Sequence, residues 1–226
     1  MDVERNSAPG RAAGFAALGD PGRLQVVDRL LLSDAQPAEL GRDLGMTSSL
    51  LAHHLKVLEG AGLIRRLRSE GDRRRTYVQL IRSALPTLDT SAAPLLDIER
   101  VLFVCTANSA RSQLAASLWR TASDVPAASA GTHPAPSVAP GALAAAERHG
   151  LSLARATPRL IEQVRAPGDL IVTVCDRARE ELGAVGAIHW SIPDPVSRGT
   201  DAAFEEALTD LGLRVHGLAA RLTDAS

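Results

Sequence analysis

At 226 residues, of which 45% are hydrophobic and 23% charged, the chain is long enough to bury one large core or two small ones. Its two cysteines, Cys105 and Cys175, are too few for a secreted disulfide scaffold, and it shows no signal peptide and no apolar run of spanning length, so a soluble cytoplasmic protein with no membrane partner is expected. The net charge of −1 conceals an asymmetry: residues 1–85 hold 13 Arg or Lys against 10 Asp or Glu, and the remainder 12 against 16. The basic excess gathers at Arg65, Arg66, Arg68, Arg73, Arg74, Arg75 and Arg82, which suggests a polyanionic partner for the N-terminal half.

In chain order, Asp20-Pro21 is a helix start, with Asp20 as cap and Pro21 at the first helical position; Leu24, Val27, Leu30 and Leu31 follow at helical spacing. A second short helix is predicted from about Pro37 to Leu44, stopped by Gly45. Thr47 then caps a third, Ser48 to Glu59, that ends before Gly60-Ala61-Gly62. Short helix, tight turn and longer helix make a helix-turn-helix plan. Two strands, 63–68 and 76–80, joined at 69–72, form an arginine-rich wing.

On the third helix Leu51, Leu55 and Leu58 form one stripe. A turn of 100° per residue puts Ser49, Ala52, His53 and Lys56 on the opposite face, with His54 flanking the core. Small and basic residues suit a major groove, and the wing arginines suit phosphates. Residues Ser48 to Leu63, around His53-His54-Leu55-Lys56-Val57-Leu58, resemble the ArsR-type winged-helix repressors. The resemblance implies a homodimer on a pseudo-palindromic operator, with Ser48, Ser49, His53, Lys56, Arg73, Arg74 and Arg75 toward DNA. Arsenic-sensing members of that family carry two cysteines in the second helix, where this chain has Gly41 and Asp43, so the usual arsenite-sensing site is not expected.

Residues 83–97 mix Pro, Ser, Thr and Ala and read as an interdomain linker, although Leu85, Leu88, Leu95 and Leu96 could dock on either domain or on a second subunit.

The second half opens on its most telling segment. The apolar run Val101 to Val104 delivers Cys105 to its end, and Arg111 precedes a helical stretch, Ser112 to Ser123. Cys-x5-Arg on a strand-loop-helix turns backbone N–H groups inward at a helix N-terminus and forms a cradle for a tetrahedral oxyanion. The same field favours a thiolate, so Cys105 is expected to be nucleophilic at neutral pH, with Arg111 gripping two equatorial oxygens. Apolar runs near 126–130, 170–174 and 187–188 alternate with helical segments at 137–149, 177–182 and 201–222. That alternation implies a parallel sheet covered by helices, with its site beyond the carboxyl ends of the strands. Cys105, Cys175 and Asp194 all follow such ends.

These residues resemble the low-molecular-weight protein tyrosine phosphatase family, and within it the thiol-dependent arsenate reductases. Ser129-Ala130-Gly131-Thr132 is similar to a family turn, and His189-Trp190-Ser191-Ile192-Pro193-Asp194-Pro195 to its late loop. The resemblance implies a four-stranded parallel α/β domain over roughly residues 98–222. It also implies an oxyanion loop of Thr106, Ala107, Asn108, Ser109, Ala110, Arg111 and Ser112. Asn108 would fix the loop, Ser112 would bond the thiolate and Asp194 would be the general acid. It offers Cys175 as the second redox thiol; the alternative is that a Cys at a strand end is ordinary core.

Three family features are absent. The third cysteine of thioredoxin-coupled relatives falls at Leu182, the loop's second cysteine is Ala110, and a glutamate supporting a potassium site in some reductases aligns with Ala116. No tightly bound cofactor or metal is therefore expected, and an external thiol or redoxin should finish the cycle. The expected organisation is an N-terminal winged helix-turn-helix at 1–82, mainly α with a β wing, a linker at 83–97 and an α/β enzyme domain at 98–226. The leading activity is arsenate reduction coupled to a transcriptional-regulator domain. Two alternatives stand beside it: a protein tyrosine phosphatase that needs no second thiol, and a transcription factor whose C-terminal domain senses an oxyanion or redox state. Val196 and Ser197 stand where phosphatases of the family commonly carry aromatic residues.

Overall fold

A computed structural model describes residues 8–85, 98–183 and 187–222, which fall into two compact units. The first contains α1 (Ala8–Leu18), α2 (Pro21–Leu32), α3 (Pro37–Asp43), α4 (Ser48–Gly60), β1 (Ile64–Arg68), β2 (Thr76–Leu80) and a 3₁₀ turn, Arg82–Ala84. The start signals work as expected. Asp20 Oδ1 accepts from Arg23 N at 2.9 Å, and Thr47 Oγ1 accepts from Leu50 N at 3.4 Å. Glu39 reaches back to Gln36 N at 2.8 Å, which closes the first turn of α3. Gly45 ends that helix region with a φ of 62°, which a side chain would resist.

Leu51, Leu55 and Leu58 join Val26, Leu30, Leu40, Ile64, Val78 and Leu80 in one core, while β1 and β2 pair antiparallel with Ile64 opposite Leu80. Ser48, Ser49, His53 and Lys56 are exposed along α4, and Arg73, Arg74 and Arg75 are exposed ahead of β2. His54 is buried instead, and a Cβ at Gly22 would come within 2.7 Å of its Nε2, so close helix packing uses a glycine there. Residues 83–85 of the expected linker are described, and residues 86–97 lie outside the described residues. The helix α1 had no counterpart among the expected elements.

The second unit is built on a parallel sheet in the order β4-β3-β5-β6, from β3 (Arg100–Cys105), β4 (Ala127–Gly131), β5 (Asp169–Thr173) and β6 (Ile188–His189). Its helices are α5 (Arg111–Ala122), α6 (Pro140–Arg148), α7 (Ile161–Val164), α8 (Asp176–Leu182), α9 (Pro195–Arg198) and α10 (Asp201–Leu222). β3 is central and buried along Val101–Cys105, which is why its sequence is continuously apolar. Phe103 lies between Trp119 and Trp190, with ring centroids 5.9 and 5.8 Å away. Arg100 forks onto Asp169 across the sheet at 2.7 and 2.8 Å and fixes the register in which those two residues are partners.

α10 buries Ala203, Phe204, Ala207, Leu208, Leu211, Val215 and Leu218 along one face and packs against α5. The helix expected from Ser137 starts only at Pro140, whose fixed φ suits the first helical position. The four-residue helices α7 and α9 are too short to leave a periodic signal. No helix among the described residues is long and apolar enough to cross a membrane.

Candidate active site

Cys105 ends β3, and the loop to α5 wraps around its sulfur. Asn108 adopts φ 49°, the left-handed region that asparagine tolerates better than most residues. The loop carbonyls are engaged from outside. Thr132 N donates to Cys105 O (3.1 Å), His133 N to Thr106 O (2.8 Å), Ala135 N to Ala107 O (2.9 Å) and Ala139 N to Ser109 O (2.8 Å). Gln113 Nε2 donates to Asn108 O at 3.1 Å. Segment 132–139 thus straps the outer side of the loop through its carbonyls, while the Asn108 N–H points inward to the Cys105 sulfur. Gly131 begins this strap. A Cβ there would stand 2.6 Å from Thr106 O and 3.0 Å from Asn108 Cβ, so the Ser-Ala-Gly-Thr turn needs its glycine for close approach.

The sulfur of Cys105 accepts from Asn108 N at 3.1 Å and lies 3.1 Å from Ser112 Oγ. Asn108 Nδ2 donates to Ser112 Oγ at 2.8 Å, which leaves the serine hydrogen for the sulfur. Both contacts direct a hydrogen at that sulfur. Arg111, at the first position of α5, is buried; Nη1 donates to Ile192 O at 2.9 Å and Nη2 pairs with Asp194 Oδ1 at 3.1 Å. Burial works against its charge, yet Cys175, Cys105 and Asp194 together hold its proton more tightly than usual.

Cys175 caps α8 and is a free, buried thiol, as is Cys105. Its sulfur accepts from Ala178 N at 3.4 Å and lies 3.3 Å from Thr106 Oγ1. Burial is the largest influence and pushes this thiol up to about 11; Arg111 opposes, Cys105 adds to the rise, and the Thr106 hydroxyl and Ala178 N–H pull it down. The next residue, Asp176, is also buried. Burial would raise its carboxyl, but hydrogen bonds from His189 (3.2 Å) and Ser191 hold it below the usual range. His189 Nδ1 in turn contacts Thr173 Oγ1 at 2.9 Å, so β5 and β6 brace the start of α8. Asp194 caps α9, and its Oδ1 accepts from Val196 N at 3.3 Å.

Cys105, Arg111, Cys175 and Asp194, expected from separate motifs, therefore line one pocket, with Asp176 and Arg177 also in its wall. Sequence reasoning did not single out Arg177, the contact between Thr106 and Cys175, or Gln113. An arginine two residues after a strand-end cysteine was the only available signal for Arg177. Ser112 is fully buried behind the sulfur, whereas Thr106 and Ala107 face the pocket. Among the described residues no group of three or more His, Cys, Asp or Glu could hold a metal ion.

The chain has clear relatives in both halves. Residues 20–66 match the family described as bacterial regulatory protein, arsR family. An arsenate reductase of Halalkalibacterium halodurans is 30% identical over 129 residues, covering 51% of this chain and 91% of that protein. Arsenate reductase 2 of Staphylococcus epidermidis is 31% identical over 110 residues, 46% of this chain and 83% of that protein. Among solved structures, an arsenate reductase from Archaeoglobus fulgidus aligns at 29% identity and a TM-score of 0.45, over 53% of this chain and 98% of that one. Residues 100–226, more than half of the sequence, match the description low molecular weight phosphotyrosine protein phosphatase, and the chain belongs to that family.

Proposed function

We propose that the second unit reduces arsenate to arsenite at Cys105 and that the first unit binds operator DNA. The observation that carries the enzyme reading is the meeting of two free thiols, Cys105 and Cys175, with Arg111 in one pocket. Arg111 and the loop amides hold the oxyanion. The sulfur of Cys105 attacks arsenic; the As–O bond breaks as Asp194 gives its proton to the leaving oxygen, and water departs. Cys175 then attacks the sulfur of Cys105. An S–S bond forms, the S–As bond breaks, and its electron pair stays on arsenic, which falls from As(V) to As(III). An external thiol or redoxin reduces the resulting disulfide, because Leu182 stands where a third thiol would act.

Burial is the main cause that raises Cys175, with Arg111 opposing it and Cys105 adding to the rise. A phosphatase reading uses Cys105, Arg111 and Asp194 alone, and the family itself favours keeping it. The contact between Thr106 and Cys175 supports the reductase, since hydrolysis of a phosphate ester gives that thiol no task.

For the first unit, exposed Ser48, Ser49, His53 and Lys56 on α4 and Arg73, Arg74 and Arg75 beside the hairpin support DNA contact, with a homodimer on a pseudo-palindrome. Incubating purified protein with arsenate and several thiols or a redoxin, beside an aryl phosphate, tests the enzyme reading. Arsenite production under at least one reductant is expected. Hydrolysis of the aryl phosphate with no arsenite under any of them would establish the phosphatase instead.

A further inference from the structure

Gln113 takes no part in the chemistry above, yet its side chain is buried in the first turn of α5. Its Nε2 faces three oxygens: Asn108 O at 3.1 Å, Asn108 Oδ1 at 3.2 Å and Thr157 O at 3.4 Å. The amide thus joins α5, the oxyanion loop and the segment before α7. That last segment is itself anchored on both sides, since Arg159 N donates to Asn108 Oδ1 at 2.9 Å and Gly131 N donates to Arg159 O at 2.8 Å. Asn108 is the strained member of the loop, at φ 49°. With its Oδ1 held by two donors, its amide has one orientation, Nδ2 toward Ser112 Oγ. Ser112 then has its single hydrogen left for the Cys105 sulfur 3.1 Å away.

We propose that Gln113 is a positioning residue for the nucleophile: by donating to both oxygens of Asn108 it fixes the left-handed loop residue and the amide orientation that direct Asn108 N–H and Ser112 O–H at the Cys105 sulfur. The proposal rests on the reading of Cys105 as nucleophile. Chemically, position 113 demands a donor. A methionine fills the same space and leaves Asn108 O and Thr157 O without this partner; a glutamate has the same shape and turns acceptors toward acceptors.

The test uses the full chain with Gln113→Met and Gln113→Glu. The rate of alkylation of Cys105 by iodoacetamide is followed against pH, with peptide mass spectrometry separating Cys105 from Cys175 and thermal unfolding recorded alongside. In both variants the alkylation profile should move to higher pH by about one unit, a roughly tenfold slower reaction on its acidic limb. A merely structural role for Gln113 would lower thermal stability and leave the profile in place. A folded Gln113→Met protein with the wild-type profile overturns the proposal. Should neither variant fold, the wild-type protein still decides: the Gln113 side-chain amide hydrogens should exchange slowly with solvent and shift on alkylation of Cys105, and free exchange without a shift overturns it. Alkylation needs no arsenate, so a wild-type protein that reduces none would sink the proposed function and leave this measurement readable.

Discussion

Thr106 Oγ1 and Cys175 Sγ lie 3.3 Å apart, so the residue that follows Cys105 in sequence touches the thiol of Cys175. If Cys175 resolves the arsenate adduct, Cys175→Ser should depress arsenate reduction and spare aryl phosphate hydrolysis, and Thr106→Val should slow the second step more than the first. Single-turnover arsenite release against aryl phosphate turnover separates the two. Unchanged arsenite release in Cys175→Ser would return that thiol to the core or hand release to the external reductant.

The thiol of Cys175 gives a pH signature. Burial pushes it up to about 11, so in the resting protein it should alkylate appreciably only in strongly alkaline solution. Stability follows from the same shift: an acid whose folded value is raised contributes fully below its ordinary titration range and loses that contribution as pH rises toward the folded value. Unfolding should become easier from about pH 9 to about pH 11. Because Cys105 is one cause of the rise, Cys105→Ser should bring the alkylation profile of Cys175 to lower pH. A profile unmoved by that substitution would mean that the two sulfurs are not coupled.

If Cys105 makes the bond and Asp194 supplies the proton, substitutions should separate the two roles. Cys105→Ser should abolish turnover on both substrates with the fold intact. Asp194→Asn should slow the first chemical step by roughly 10² to 10⁴. Arg111→Lys should also be severe, since an ammonium lacks the planar fork that reaches Ile192 O, Asp194 and an oxyanion. Pre-steady-state release of the aryl leaving group reads this step directly; a wild-type burst in Asp194→Asn would remove Asp194 from the role.

Gly131→Ala probes the strap behind the loop. Its Cβ would press on Thr106 O at 2.6 Å, and backbone atoms yield less readily than a flexible side chain. A loss of about 1 to 3 kcal/mol in stability is expected, the usual cost of overpacking. Oxyanion affinity, measured with phosphate as a competitor, should weaken with it. Full stability and affinity in Gly131→Ala would show that the loop is not held by this close approach.

Local rules made much of this architecture readable. Asp20-Pro21, Thr47 and Gly45 marked helix ends because caps and left-handed turns have few alternative residues. The apolar run into Cys105 marked a central parallel strand because burial on both faces leaves no alternation. The pocket members were legible for a similar reason, as each follows a strand end in a parallel sheet. What stayed hidden depends on residues distant in sequence. Nothing near Gln113 announces that Thr157 O and Asn108 will face it, and nothing near Thr106 announces Cys175. α6 starts three residues later than the sequence suggests, because Pro140 sets the first helical position.

The exposed arginines ahead of β2 provide the remaining prediction. Counterion release makes phosphate binding insensitive to base sequence and steeply dependent on salt. Replacing Arg73, Arg74 and Arg75 by Ala should therefore weaken binding to every duplex and flatten the plot of log affinity against log salt, by about 0.9 in slope for each phosphate that is no longer neutralised. Ser49 and His53 lie on the exposed face of α4, where base edges would be read, so changing either should erode preference for the operator over random sequence with a smaller effect on the salt slope. Titrating full-length protein into operator and random duplexes at several salt concentrations measures both effects. Should the wild-type protein bind no duplex even at low salt, the DNA-binding proposal fails, and the N-terminal unit must be reread as a dimerisation module.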